Sequence, residues 1–308
     1  MTRWIFTALA STLLLTAPAM AQNKALGALG QLLGGQVPTV NPLAALLPAT
    51  APAPSTPAAG DLMALLSQPD SAVDESREIE IGRQLAAVLL GSKPLHTDMA
   101  LQRYVNQLGR WISLHSSRPA LPWSFAILDD AGFNAFAAPG GYVFVTKGLL
   151  DRVDEAELAG ILAHEIVHVT ERHHLHALRA KARAGAATRL LASQVRAPNA
   201  VAGALSSQLL ALGRDLYSSG LDQGDEFDAD RQGVVLAARA GFDPYGLAAV
   251  LQQLRAEVPD NPLFALSLAT HPPAQQRLDL LDQSMGRRLD LLAGKPSVPI
   301  TRRIARRN

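Results

Sequence analysis

The chain has 308 residues, with 28 basic against 27 acidic side chains, 48% apolar and 18% charged residues, and no cysteine. That balance excludes a disordered chain and a charge field that would gather nucleic acid, so no nucleic-acid partner is expected. The missing thiols exclude a disulfide scaffold, a thiolate metal site, a cysteine nucleophile and a lipid anchor on cysteine.

Residues 1–21 read as a secretory signal. Arg3 supplies the charged start, residues 5–15 the apolar run, and Ala19-Met20-Ala21 the small-x-small cleavage site. Residues 22–71 carry Pro38, Pro42, Pro48, Pro52, Pro54, Pro57 and Pro69 among many alanines, and no charge from 39 to 59; a low-complexity tether is expected. What remains suits one domain over 72–284, followed by a basic tail over 285–308. No later run reaches the roughly 18 unbroken apolar residues of a membrane span. Export without cysteine suits a bacterial periplasm.

Within the domain, Ile79, Leu85, Ala86, Leu89 and Leu90 recur at helical spacing over 74–90. Leu101, Val105, Leu108, Trp111 and Ile112 do the same over 98–114. Residues 123–128 alternate as a strand, and Gly140-Gly141 opens a second over 142–146. Asp154 caps a long helix running to about 184, with Leu158, Ile161, Leu162, Ile166 and Val169 on its apolar side. Further helices are expected over 205–217, 225–240 and 243–254, the last launched by Asp243-Pro244 as N-cap and first helical residue. His271-Pro272-Pro273 precedes a final helix to about 283. The layout is α+β, mostly helical with a small sheet placed early, and without internal repeats. In the tail, Lys295, Arg302, Arg303, Arg306 and Arg307 stand without an acid, which fits a solvated tail or a foot on an anionic membrane surface.

The chemistry sits in the long helix, at His164-Glu165-Ile166-Val167-His168. Residues four apart on a helix lie one turn above each other, so both imidazoles can reach one ion while Glu165 leans over its open position. A hydrolytic zinc site needs that arrangement: zinc polarises a carbonyl and activates water, and a carboxylate moves the proton. The surrounding turn is otherwise apolar, which suits a buried site. A third protein ligand is required. His173, His174 and His176 follow on the same helix and cannot swing round to the same ion, so they read as ordinary polar helix residues. Glu226 is the better candidate, with Asp230 one turn on and able to accept a hydrogen bond from a ligand imidazole. On spacing alone the acidic turn, which also holds Asp222, Asp225 and Asp228, fits a solvated face equally well.

Taken together, Asn134-Ala135-Phe136, the run from Pro139 through Gly140, Gly141, Tyr142, Val143, Phe144 and Val145, the zinc motif, Glu226-Phe227-Asp228-Ala229-Asp230 and Thr270-His271-Pro272 resemble the ordered signature of the M48 family of zinc metallopeptidases. The resemblance covers about 71–283 and implies Glu226 as third ligand, Asp230 as its companion, and a zincin-like fold with a small sheet whose edge strand borders the cleft. Members embedded in the inner membrane carry transmembrane helices, and some exported members add helical repeats; neither is expected here.

The glycine-flanked strand, Gly141, Tyr142, Val143 and Phe144, reads equally as a core strand or as an edge to which an extended peptide adds; the resemblance favours the edge. His271, set just before a helix opened by two prolines, is expected to be neutral at that helix's positive end. It could hydrogen-bond a developing oxyanion or close the open zinc position. The leading expectation is a periplasmic zinc endopeptidase, with one Zn²⁺ per chain, that cleaves extended or misassembled envelope polypeptides, with Glu165 as general base. The rival is a non-catalytic, zinc-stabilised binding or chaperone-like module. Glu165 distinguishes them, because a purely structural site needs no carboxylate over an open position.

Overall fold

The computed structural model describes residues 73–192, 218–258, 261–296 and 298–305. The expected signal, tether and helix over 205–217 lie outside these residues. The first helix, α1 (Glu75–Ser92), starts at Asp74, whose carboxylate accepts from the backbone N–H of Arg77. Asp98 caps α2 (Met99–Ser113) in the same way. Three short strands follow, β1 (Ser124–Leu128), β2 (Ala135–Ala138) and β3 (Tyr142–Thr146). Their order is β1-β3-β2, with β1 parallel and β2 antiparallel to the central β3.

Alternation across the sheet splits the core into two layers. Phe125, Ile127, Val143 and Val145 face a cluster built with α2 and the helices beyond. Ala126, Leu128, Phe136 and Phe144 face one built with α1. Every residue of β3 is therefore buried. The four-residue β2 was not expected as a strand, since its Ala-Phe-Ala-Ala sequence has little β-branched or alternating character.

After the short α3 (Lys147–Leu150), the helix α4 (Glu155–Thr170) opens with a capping box in which Asp154 and Glu157 satisfy each other's backbone N–H groups. The expected continuation to about 184 does not occur. Arg172 takes φ 60°, and a separate helix, α5 (His173–Ala192), begins after it. The turn is secured by Glu78 of α1, a fully buried carboxylate that meets the Arg172 Nε at 2.9 Å and the Arg118 Nη1 at 2.7 Å. Next come α6 (Gln223–Arg239), α7 (Gly246–Ala256), α8 (Ala265–Thr270), α9 (Ala274–Met285) and α10 (Ile300–Ala305). Asp243 does not cap α7 directly. It forms a turn, accepting from the Tyr245 N–H, and α7 starts at Gly246. Part of the basic tail packs on the body rather than standing in solvent: Ile300 is buried, and the Val298 carbonyl accepts from Glu155 N–H at 3.2 Å.

Two glycines set the spacing around α4. A Cβ on Gly233 of α6 would lie 3.0 Å from the Cα and N of His164, and one on Gly160 of α4 would lie 2.6 Å from the backbone nitrogen of Leu247. Both helices thus approach α4 backbone to backbone. Among the described residues no helix is long and apolar enough to cross a membrane.

Candidate metal centre

The middle of α4 presents His164 and His168 one turn apart, both buried, and α6 crosses it so that Glu226 comes between them. The Nε2 atoms of the two imidazoles lie 3.0 Å apart. Glu226 Oε2 is 3.6 Å from His164 Nε2, and Oε1 is 3.6 Å from His168 Nε2. One donor atom from each residue falls within 4.8 Å of the others. Glu226 Oε2 is buried without a hydrogen-bond partner. Lone pairs at such distances repel unless a proton or a cation lies among them, and a buried carboxylate oxygen needs a partner. Two imidazoles and one carboxylate form a donor set that fits zinc.

Electrostatics follow the same logic. Burial disfavours charge on His164, but the carboxylates of Asp230 and Glu226 outweigh it and raise the imidazole to about 9. His168 is driven well below the ordinary histidine value by burial and by the charge on His164. Burial would raise Glu226, yet His271, His164 and His168 together hold it well below the usual carboxylate range. The cluster therefore lodges positive charge where a cation would displace a proton. Glu165, next to His164 but no member of the donor set, is raised to about 7 by burial, with Glu226 adding to the rise and His164 opposing it.

Each imidazole is held on its far side. His164 Nδ1 lies 3.0 Å from Asp230 Oδ1, and Asp230 in turn accepts from Arg277 Nε at 2.7 Å. His168 Nδ1 lies 2.9 Å from His173 Nδ1, and His173 Nε2 is 3.7 Å from Asp225 Oδ1. The reading of His173 and His174 as ordinary polar residues on one long helix is corrected here. The break at Arg172 turns both inward, their rings 5.1 and 5.4 Å from that of His168, and only His176 is exposed. The run of histidines was a signal; the backbone break that uses it depends on the distant Glu78, which spacing does not reveal.

A cleft lined by Glu165, His168, His174, Glu226, Thr270 and His271 opens beside the centre, bordered by β2 through Asn134 to Ala137. This corrects the strand assignment. Tyr142, Val143 and Phe144 belong to β3, which pairs on both sides, and Gly141 lies in the turn before it. The sheet's outer strand at the cleft is β2. A glycine-flanked β-branched run is also the pattern of a doubly covered central strand, and that is how it is used. His271 lies in the cleft wall with Nε2 3.7 Å from Glu226 Oε2. It ends α8 rather than opening a helix, and burial chiefly lowers its pKa.

Residues 98–285 match the sequence profile of peptidase family M48. The chain belongs to this family. The M48 match spans the sheet, α4, α6 and α9, and so takes in every residue of the centre. The chain is 32% identical over 215 residues to the beta-barrel assembly-enhancing protease of Escherichia coli K12, covering 68% of this chain and 44% of that protein. It is 31% identical over 181 residues to the mitochondrial metalloendopeptidase OMA1 of Schizosaccharomyces pombe, covering 58% of this chain and 52% of that one. The crystal structure of S. mikatae Ste24p is similar at 15% identity and a TM-score of 0.39, over 72% of this chain and 62% of that one. The chain thus spans less than half the length of the first of these relatives.

Proposed function

We propose that this chain is a zinc-dependent endopeptidase that hydrolyses extended segments of polypeptide, with His164, His168 and Glu226 holding the ion. The observation that carries the reading is Glu165: a buried carboxylate beside the donor set and open to the cleft, where a purely structural centre has no use for one. Zinc bound there would act as a Lewis acid towards a peptide carbonyl and towards water.

The chain's own residues supply the rest. Glu165, raised to about 7, can take the proton of the attacking water and pass it to the leaving amine. Asp230 and His173 fix the two imidazoles so that their Nε2 atoms converge. The outer strand β2 borders the cleft and offers an edge along which an extended segment can lie.

The expected signal and the name of the Escherichia coli relative support a setting in the bacterial envelope, with misassembled envelope proteins as substrates. The test is metal analysis of the protein cut after Ala21, paired with casein cleavage by wild type and Glu165→Gln. One zinc in both proteins, with cleavage lost only in the variant, supports the reading. A Glu165→Gln protein with near-normal cleavage refutes it.

A further inference from the structure

Three of the large apolar side chains that stay exposed lie on one helix. Met99 and Trp111 of α2 and its C-cap Leu114 are 53, 51 and 60% exposed. Arg103, Gln107 and Arg110 are exposed between them. The six residues fall at i, i+4, i+8, i+11, i+12 and i+15, one stripe of a helix about 22 Å long. The opposite stripe, Leu101, Val105, Leu108 and Ile112, is in the core. No acidic residue occurs in α2, and Asp98 before it is taken up as N-cap by the N–H groups of Ala100 and Leu101.

We propose that this stripe docks on an anionic phospholipid surface, its apolar side chains entering the headgroup layer and its arginines meeting phosphates. Further basic groups gather around it. α10 packs against α2, with Ile300 buried and Arg302 exposed. Beside the Trp111 end, a groove of about 260 Å³ is lined by His115, Ser116, Ser117, Arg231 and Arg239. No acid lines it; Asp228, which pairs with Arg231 at 2.6 Å, is not among its walls. A headgroup phosphate suits such a groove, because hydroxyl and guanidinium groups donate to it and no carboxylate repels it.

The spacing of the stripe favours lipid over a protein partner. Protein interfaces gather their anchors in a fully buried centre with a polar rim. Here the apolar residues stand in a row with cations between them. A lipid surface accepts side chains at any spacing, and long arginine stems let the guanidinium groups reach phosphates. The whole chain is nearly balanced, with 28 basic to 27 acidic residues, so the acid-free stripe is a local feature. Trp111 Nε1 donates to the Ala240 carbonyl at 2.8 Å, and its ring meets His115 edge-on at 5.1 Å, so the half-exposed indole is fixed in place. α2 packs on β1, the sheet edge opposite β2, so a surface docked there leaves the outer strand at the cleft free. The inference goes beyond the peptidase reading and does not depend on it.

The experiment floats the protein cut after Ala21 with vesicles of phosphatidylcholine alone or with about one-third phosphatidylglycerol, whose charge attracts basic segments. Of the three tryptophans, Trp4 is removed by that cut and Trp123 is buried, so a change in emission reports Trp111. Binding to the anionic vesicles alone, a blue shift of the emission, and release at about 0.5 M salt are expected. Arg103→Gln with Arg110→Gln should weaken binding about 25-fold, roughly fivefold per arginine, whereas Lys at both positions should retain it. Met99→Ser and Leu114→Ser should each weaken it about tenfold. Trp111→Phe should abolish the shift and leave most of the flotation. Melting temperature shows that each variant is folded. Equal binding to neutral vesicles, binding to neither kind, or binding unchanged in the arginine and apolar variants would each overturn the proposal, the last by assigning the contact to the tail. A dimer in sedimentation equilibrium that Leu114→Ser dissociates, without vesicle binding, would assign the stripe to a second copy of the chain instead.

Discussion

The Nδ1 of His173 lies 2.9 Å from the Nδ1 of His168, although the two residues sit on different helices separated by the turn at Arg172. A metal held on His168 Nε2 would leave the ring hydrogen on Nδ1, donated to His173, whose Nε2 in turn faces Asp225 at 3.7 Å. In the proposed zinc site His173 would position a ligand imidazole. His173→Ala should weaken zinc affinity by about 10- to 100-fold, read by chelator competition, and His173→Gln should recover part of the loss because its amide oxygen can accept the same bond. Unchanged affinity in the Ala variant would reduce His173 to packing.

Asp230 has a double duty. It accepts from Arg277 and faces His164, all three being buried. Asp230→Ala should weaken zinc binding and also strand the Arg277 charge, at a cost of roughly 3 to 5 kcal/mol. Burial works against its charge, but Arg277 and His164 hold its carboxyl below the ordinary value. This stability is fully present above the unfolded pKa near 3.9 and is lost as pH falls through the lower folded value. Thermal melts at pH 7 should differ by roughly 10 °C between wild type and variant; equal melting temperatures would contradict the coupling.

The sequence announced the parts of the centre that one helix can encode. His164, Glu165 and His168 are fixed relative to each other by helical geometry alone, and the capping box at Asp154 and Glu157 is equally local. Glu226 and Asp230 carried the right chemistry but an ambiguous setting, because their burial depends on α6 crossing α4 at Gly233, and an isolated glycine in a helix does not say what approaches it. The strand order was out of reach for a similar reason. Whether β2 or β3 forms the outer strand depends on pairing between segments, and both are apolar and short. The turn at Arg172 depends on Glu78, from a helix at the other end of the domain.

Gly233 lies on the same stripe of α6 as Glu226 and Asp230, at i, i+4 and i+7. A methyl group there meets the His164 backbone at 3.0 Å, and a backbone in mid-helix cannot give way. Gly233→Ala should therefore cost about 1 to 3 kcal/mol as overpacking, against the roughly 1 kcal/mol that Ala's helix propensity returns, and should weaken zinc binding by moving α6 as a body. Gly91 in α1 is the control. Nothing lies within 4 Å of its added Cβ, so Gly91→Ala should stabilise by up to about 1 kcal/mol. Denaturant melts of both proteins test the sign; stabilisation by Gly233→Ala would show that the crossing is not tight.

His271 is decided by its tautomer. Its Nδ1 lies 3.1 Å from the Ser267 carbonyl and 3.0 Å from the Thr270 hydroxyl, which itself donates to the Leu266 carbonyl. A carbonyl only accepts, and the hydroxyl's hydrogen is already used, so Nδ1 carries the ring hydrogen. Burial keeps the ring neutral by lowering its pKa, against the pull of the Glu226 charge. The Nε2 at 3.7 Å from Glu226 Oε2 therefore presents a lone pair to the centre. A lone pair cannot donate to an oxyanion, but it can occupy the open position of a zinc ion and keep water from it. Of the two roles expected for His271, closing the resting site is the one that this hydrogen bonding supports. His271→Ala should raise peptide turnover and tighten hydroxamate binding several-fold, with both read on protein of equal zinc content. A fall in turnover of about 10² to 10³ would assign the oxyanion role instead, and a variant unchanged in both readouts would leave His271 with a packing role alone.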